Sequence, residues 1–340
     1  MPSLIETYAY ARAGLIGNPS DGYYGKTISI TVRNFRARVI CYPSANLEIK
    51  ESTIDAPIWT SIDDLREGVK RNGYYGGIRL IRAIIKRFAD YCDEQGIQLP
   101  RRNFTIEYES DIPARVGLAG SSAIITATLR ALMHFYGVSI PHEVQPGIIL
   151  AAEREELGIG AGLQDRVIQV YENAVFMDFD RAHFEKHGFG IYERIDPALL
   201  PPIFIAYDNR LSEGSEVFHN NIRERFEQGD PEVVGAMQKF AQFAQEAKTA
   251  ISQRDKNRLS DLMNRNFDLR ASLYHLRQSD IDLVETARKL GASAKFAGSG
   301  GAVIGVYDHE EMLAGLREDY RAIGAELIVP QITASAEANM

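Results

Sequence analysis

The segment PARVGLAGSSAIITATLRAL, residues 113–132, places a turn rich in glycine and serine directly before a run with helical spacing. The preceding segment FTIEYES (104–110) alternates apolar and polar residues, so the turn joins a predicted strand to a predicted helix. The first amide groups of a helix have no intrahelical partner and lie at the positive end of its dipole. Gly117 and Gly120 allow the backbone to approach an anion closely. The segment therefore predicts a phosphate site at the start of this helix.

This turn has a second interpretation, in which Ser121 caps the helix and the glycines only reverse the chain. No GK[ST] sequence closes the turn and it does not match GxGxxG, so it follows neither widespread nucleotide motif. Two further strand-flanked loops favour phosphate binding: ARAGLIGNPSDGYYG (11–25) and GASAKFAGSGGAVIGV (291–306). Three such loops in one chain are stronger evidence than one.

Taken in this order, the three loops resemble the motifs of the GHMP kinase family, the small-molecule kinases that include galactokinase, homoserine kinase and mevalonate kinase. PARVGLAGSSA resembles the family's P-x-x-x-G-L-x-S-S-x-A loop, with one extra residue. GLIGNPSDGYYGKTIS, NGYYGGIRL and AGLQDRVIQVY most resemble the glucuronokinase branch. The resemblance implies ATP-dependent phosphorylation of the anomeric hydroxyl of glucuronate. Two alternatives remain: the same chemistry on galacturonate, a hexose or a heptose, or a non-catalytic sugar sensor.

The resemblance also implies an α+β fold with the two-domain GHMP kinase architecture. It predicts a ribosomal-protein-like N-terminal domain at residues 1–195 and a ferredoxin-like C-terminal domain at residues 196–340. The stretch RAHFEKHGFG (181–190) is polar and is followed by prolines, so we predict a loop there, near the boundary. The glycine loop at 298–301 is expected to lie against the phosphate loop.

Local periodicity adds predictions about individual elements. Residues 27–33 and 35–41 alternate like strands, with Asn34 between them as a tight turn. Between about residues 214 and 290 the pattern predicts three long helices.

The resemblance implies that ATP is bound with Mg²⁺ at the phosphate loop. The implied nucleotide-binding residues are Gly117, Leu118, Ala119, Gly120, Ser121, Ser122 and Ala123. Mg²⁺ prefers oxygen ligands and keeps several waters, which makes the Ser122 hydroxyl and the Glu153 carboxylate the expected ligands. Glu155 and Glu156 compete with Glu153, and all three are also explained as solvated helix charges. Trp59 is a candidate wall for adenine or a packing residue.

Two residues are expected to act directly in the chemistry. Asp165, in GAGLQDR, occupies the place of the family's catalytic base, and a nearby carboxylate helps an anomeric hydroxyl lose its proton. Arg12 occupies the place of a cationic helper that stabilises charge on the transferring phosphate. The alternatives are that Asp165 only caps a helix and that Arg12 is a surface arginine on an edge strand.

The resemblance assigns sugar binding to residues in three places. These residues are Asn18, Asp21, Tyr24, Gly162 and Arg210. The galactokinase pattern G-E-H-x-D reads G-N-P-S-D here, which argues against galactose itself and removes a carboxylate that would repel an acidic sugar. A uronate needs a cationic partner, for which we expect Arg210, with Arg166 and Arg79 as rivals. Each of these arginines is also explained as one half of a surface ion pair.

Composition limits the partners. The net charge of −8 and the pI near 5.5 argue against general nucleic-acid binding. The sequence contains no apolar run long enough for a membrane helix, so we expect a cytoplasmic protein, monomeric or homodimeric. Cys41 and Cys92 lie in apolar contexts and are predicted to be buried free thiols.

Overall fold

The computed structural model describes residues 4–52, 55, 61–63, 66, 76–210 and 216–334, with the backbone alone at 216–221. Trp59, the candidate adenine wall, lies outside these ranges. The chain divides into two compact units. Unit 1 contains Met1–Ala11, Phe35–Ile112 and Ala119–Val170; unit 2 contains Arg12–Asn34, Pro113–Leu118 and Tyr171–Met340. The predicted division after residue 195 follows the family domains rather than these units, and it stays a prediction.

The first two strands each contribute residues to both units, and unit 1 combines paired strands with helices. The elements up to residue 171 are β1 (Ile5–Ile16), β2 (Lys26–Ser44), β3 (Glu48–Ile49), α1 (Gly77–Glu94), β4 (Asn103–Ser110), α2 (Gly120–Tyr136), α3 (Gln145–Ala151) and α4 (Gln164–Tyr171). The second half of β2 pairs antiparallel with β4, and β3 pairs parallel with β4. A single π-helical turn at Ala152–Glu156 continues α3.

The amphipathic helix α1 shows why unit 1 folds as its sequence predicts. Ile81, Ile84, Phe88 and Cys92 recur at helical spacing and are buried. Helix α2 is apolar over most of its circumference and is buried on most sides. Both cysteines are free and buried, as predicted, and burial raises the pKa of the Cys41 thiol to about 12.

Unit 2 combines a four-stranded antiparallel sheet with long helices. Its elements after residue 171 are β5 (Ala174–Asp178), α5 (Arg181–His187), β6 (Ile191–Arg194), β7 (Ile203–Tyr207), α6 (Glu216–Glu227), α7 (Pro231–Ser252), α8 (Lys256–Leu273), α9 (Gln278–Lys289), β8 (Ser293–Phe296), β9 (Ala302–Val306), α10 (Glu310–Ala322) and β10 (Glu326–Ile328). The strand order is β10-β7-β9-β8, and β5 and β6 pair with the first half of β2. β7, β8 and β9 are buried along their whole length. The glycine loop at 298–301 lies in the connection between β8 and β9.

Three local predictions are wrong. Asn34 does not turn the chain, because β2 is one strand of 19 residues. Its side chain instead donates to the carbonyl of Val329 and accepts from the amide of Gln331, at 3.1 and 2.8 Å. The polar stretch after residue 180 forms α5 and β6 rather than a loop, since Asp180 caps α5 by accepting from the amide of His183. Four helices, α6 to α9, stand where three were predicted.

A pair of helical glycines tests the packing of unit 1. A Cβ at Gly77, the first residue of α1, would lie 2.5 Å from ring atom Cζ of Tyr108, whereas nothing lies within 4 Å of a Cβ at Gly147 in α3. We expect Gly77→Ala to lower the free energy of unfolding by about 1–3 kcal/mol through overpacking. Gly147→Ala should be neutral or stabilise by up to about 1 kcal/mol, because alanine favours the helix. Denaturant unfolding measures both, and a loss of stability at Gly147→Ala alone would contradict this account.

Candidate active site

The predicted phosphate loop ends in a helix start that has no side-chain cap. Ala119 is the N-cap residue of α2, in the left-handed conformation at φ 63°, and no described side chain accepts a hydrogen bond there. The first turn also lacks an acidic residue. The interpretation of Ser121 as the cap is therefore wrong. An anion binds more favourably at a helix N-terminus of this kind than at one where a carboxylate already interacts with the free amide groups.

The unusual backbone at Ala119 is held by its own carbonyl oxygen. That oxygen accepts from Nε2 of Gln169 at 2.9 Å, from the Ser122 hydroxyl at 3.2 Å and from the amide of Ala123 at 3.2 Å. Gln169 lies on α4 and is buried. A left-handed alanine is strained, so the three hydrogen bonds to its carbonyl oxygen stabilise the backbone conformation at the start of α2.

In unit 2, two glycine loops touch through their backbones. A Cβ on Gly117 would lie 2.8 Å from the carbonyl oxygen of Gly300, and a Cβ on Gly298 would overlap the carbonyl oxygen of Gly117. Gly117 also has φ 74°, which other residues adopt only with strain. The prediction that the loop at 298–301 lies against the phosphate loop is confirmed.

Buried arginines hold these loops by their carbonyl groups. Arg12, on β1, is 5% exposed and donates from Nη1 to the carbonyls of Gly117, at 2.5 Å, and Ala297, at 3.3 Å. Arg270, on α8, donates to the carbonyls of Gly298 at 2.9 Å and Ser299 at 3.2 Å. Arg12 is therefore not a surface residue, and it ties one glycine loop to the other.

Two more buried charges complete this arrangement. Lys295 donates to the carbonyls of Gly14 and Phe296, at 2.7 and 2.6 Å. Burial lowers the pKa of Lys295, and the nearby positive charges of Arg270 and Arg12 lower it further. Asp280 accepts from the amide of Gly301 at 2.8 Å and pairs with Arg277 at 2.7 Å. The side chains of Arg12, Arg270 and Lys295 thus converge on the loops, and the two guanidinium groups favour a polyanion there.

Unit 1 contains a charged cluster on the segment that follows α3. Glu153 is 1% exposed and accepts from Nε of Arg166 at 2.6 Å. Arg166 also donates to the carbonyl of Gly162 at 2.7 Å and lies 3.3 Å from a carboxylate oxygen of Asp165. Asp165 is in the first turn of α4 and is partly exposed. The guanidinium of Arg166 therefore pairs with the carboxylates of Glu153 and of Asp165, the predicted base, and positions the latter.

The loop at 17–25 forms a second candidate surface in unit 2. Asn18 is 4% exposed, and its Oδ1 atom has no hydrogen-bond partner among the described residues. Its carbonyl accepts from Nδ2 of Asn266 at 3.2 Å, which fixes the loop. Tyr23 is buried and Tyr24 is exposed. Asp21 lies beside them in a 3₁₀ turn, Ser20–Tyr23.

Arg210, the residue expected to meet an acidic sugar, is already paired. It donates from Nε and Nη2 to the two carboxylate oxygens of Asp208, at 2.9 and 2.7 Å, and from Nη2 to the carbonyl of Ile323 at 2.6 Å. Of its rivals, Arg166 is paired with Glu153, and Arg79 is half-buried on α1.

Sequence reasoning missed several of these residues. They are Gln169, Arg270, Asp280 and Lys295. Lys295 lies three residues before Gly298 of the third glycine loop, and its position in the chain could have signalled it. The others lie on helices whose polar residues look like solvated charges, and only the fold shows that they are buried.

Two kinds of feature are absent from the described ranges, a cluster of metal ligands and a membrane-spanning helix. No three His, Cys, Asp or Glu residues there are arranged to hold a metal ion. No helix in that part of the chain is long and apolar enough to cross a bilayer.

Comparison with known proteins supports the family resemblance that the three glycine loops show. The profile of the GHMP kinases N terminal domain matches residues 79–173. Probable glucuronokinase 2 of Arabidopsis thaliana is 47% identical over 308 residues, which cover 88% of this chain and 84% of the relative. Glucuronokinase 1 of the same plant is 45% identical over 306 residues, with 88% and 84% covered.

A solved structure gives the fold. Galactokinase of Lactococcus lactis complexed with galactose matches with a TM-score of 0.76 at 17% identity, covering 98% of this chain and 94% of that chain. The α+β, two-domain GHMP kinase architecture that the sequence predicted is therefore confirmed. On both the fold and the sequence identity, the chain belongs to the GHMP kinase family.

Proposed function

We propose that the protein is an ATP-dependent sugar kinase that phosphorylates the anomeric hydroxyl of D-glucuronate to give glucuronate 1-phosphate. The observation that carries the kinase activity is the uncapped start of α2, where Ala119 turns the chain and no described side chain takes the free amides. The glucuronokinase relatives support glucuronate as the sugar. We expect a cytoplasmic enzyme, monomeric or homodimeric.

In this proposal the triphosphate of ATP binds along residues 117–123. The amides at the start of α2 meet phosphate oxygens, and the glycines leave room for them. The buried guanidinium groups of Arg12 and Arg270 hold the loops of unit 2 and favour a bound polyanion. Arg12 then serves chiefly by holding Gly117 in place, in addition to the electrostatic role that the family resemblance implies.

The Ser122 hydroxyl fits Mg²⁺ better than Glu153 does. Ser122 donates its hydrogen to Ala119, so its oxygen keeps lone pairs for a cation. The carboxylate of Glu153 is already neutralised by Arg166, with which a metal would compete. When bound, Mg²⁺ would offset the charge of the phosphates.

Asp165 is the proposed base, and the loop at 17–25 is the proposed sugar site. Arg166 orients Asp165, and the Asp165 carboxylate takes the proton of the anomeric hydroxyl as phosphoryl transfer proceeds. Oδ1 of Asn18 is an acceptor without a described partner, and a sugar hydroxyl would satisfy it. Asp21, Tyr24 and the backbone at Gly162 are the other proposed contacts.

A substrate panel tests this proposal. ADP release is measured with D-glucuronate, galacturonate, glucose and galactose at saturating ATP and Mg²⁺. We expect the highest kcat/KM with D-glucuronate. A higher value with galacturonate or with a neutral hexose would favour the alternative, a kinase of the same family for another sugar. No ADP release with any sugar would contradict both.

Asp165→Asn tests the base. The change keeps the shape of the side chain but removes its ability to accept the proton, so kcat should fall about 10²-fold or more while ATP still binds. Asp268→Asn is the matched control, because Asp268 is an exposed carboxylate paired with Arg288 at 2.7 Å. Steady-state kinetics and ATP calorimetry separate the two steps. An unchanged kcat in Asp165→Asn would remove Asp165 as the base.

Gly120→Ala tests close approach of the phosphates. In the free protein an added Cβ meets only Ile112, at 3.4 Å, so the fold should tolerate it. If phosphate oxygens pack on this backbone, the methyl group should raise the dissociation constant for ATP roughly tenfold, which corresponds to about 1.4 kcal/mol. Gly147→Ala, where a Cβ meets nothing within 4 Å, serves as the control. An ATP affinity equal to that of the unmodified protein would count against close approach of the phosphates to the backbone at Gly120.

A further inference from the structure

We propose that Arg223 recognises the carboxylate of the sugar, the role for which the sequence pointed to Arg210. This inference rests on the proposed function, because it assumes an acidic sugar bound at the loop 17–25. It adds a specificity-determining residue that the sequence motifs did not single out.

Most cationic side chains around this loop are committed to other partners. Arg12 and Arg270 are buried and donate to loop carbonyls. Lys26 pairs with Asp178. Arg181 lies 5.3 Å from the ring of Tyr24 but pairs with Glu185 at 2.7 Å. A bidentate contact to a carboxylate needs a guanidinium whose donors are still available.

Arg210 fails this requirement and faces a different part of the surface. Its fork is matched to Asp208, and removing that match would leave the 5% exposed carboxylate of Asp208 without its partner. Arg210 lines a surface cavity of about 400 Å³ whose other walls include Asp282, Lys289 and Ile323. None of the residues lining that cavity belongs to the loop at 17–25.

Arg223 lies directly against the loop. Its guanidinium carbon is 5.5 Å from the centroid of the Tyr23 ring, and Nη2 would be 3.5 Å from a Cβ on Gly22. One turn later on α6, Phe226 packs edge-on against Tyr23 at 4.9 Å, which fixes the helix beside the loop. The glycine at position 22 leaves the guanidinium unobstructed on that side.

The charge on Arg223 is weakly engaged. Its ion-pair partner among the described residues is Glu227, at 4.0 Å, and the two side chains are 40% and 65% exposed. Such an exposed pair contributes little, so exchanging it for a sugar carboxylate costs little. Burial raises the pKa of Tyr23, and the charges of Arg223 and Asp21 act on that pKa in opposite directions, which places both charges near one ring.

The resulting division of roles is chemically consistent. Asp21 and Oδ1 of Asn18 are acceptors and suit sugar hydroxyls, whereas Arg223 is a donor and suits the carboxylate. A neutral hexose would leave Arg223 without this partner, and an additional carboxylate on the loop would repel a uronate. The reading G-N-P-S-D, with asparagine in place of the acid, agrees with this pattern.

The experiment compares D-glucuronate with D-glucuronamide, which has nearly the same shape but no charge. In the unmodified protein kcat/KM should favour glucuronate. In Arg223→Gln the KM for glucuronate should rise about 10- to 100-fold, the factor that corresponds to a charge-assisted hydrogen bond, while values for glucuronamide change less than threefold. Arg223→Lys should restore part of the preference. Arg181→Gln is the matched control and should leave the preference intact.

The outcomes separate the two proposals. If the unmodified protein phosphorylates no sugar, or prefers neutral sugars, the proposed function fails before any variant is compared. If it prefers glucuronate and Arg223→Gln keeps that preference, this inference is overturned, and more firmly so if Arg210→Gln abolishes it. An equal loss with both substrates would also overturn it. ATP calorimetry on each variant confirms folding, and if Arg223→Gln does not fold, Arg223→Lys supplies the deciding comparison.

Discussion

The arrangement depends most on one constraint, the backbone contact between the glycine loops of unit 2. Gly117 and Gly298 approach so closely that neither position has room for a Cβ. Backbone surfaces in contact bring carbonyl oxygens together, and these repel unless donors lie between or beside them. Arg12 and Arg270 supply those donors from β1 and α8, elements far apart in sequence. A change at either glycine or either arginine would therefore act on both loops.

This solution places positive charge in a buried setting. Isolated buried charges are costly, and hydrogen bonds to loop carbonyls stabilise Arg12 and Arg270. Asp280 offsets part of the charge through Arg277 and the amide of Gly301. A bound triphosphate would offset more of it, so the same feature that strains the free protein favours the ligand. The uncapped start of α2 in unit 1 is also strained in a way that a bound anion would offset. Gln169 stabilises the left-handed backbone of Ala119, and the first amides of α2 have no side-chain cap.

In the proposed function, sugar specificity has a different physical origin from nucleotide binding. The phosphate loop uses backbone groups, which every family member possesses, whereas the loop at 17–25 uses side chains that differ from the galactokinase pattern. Asn18 brings an unpartnered acceptor, and Arg223 brings a weakly paired donor beside Gly22. A sugar that carries both hydroxyls and a carboxylate complements this pair of features, and the proposed recognition of charge can change without disturbing the loops proposed to bind ATP.

The sequence by itself determined the order of the three glycine loops, the membership in the kinase family and most helices and strands. It could do so because periodicity and motif spacing depend on residues close together in the chain. Only the tertiary structure decided that Asn34 continues a strand by bonding to residues 329–331, that Arg12 is buried, and that Arg210 and Arg166 are already paired. Those outcomes depend on partners more than a hundred residues away or on local pairing that no pattern encodes. Whether a charged side chain is available to a ligand is decided by its neighbours in space, and the sequence names only its neighbours in the chain.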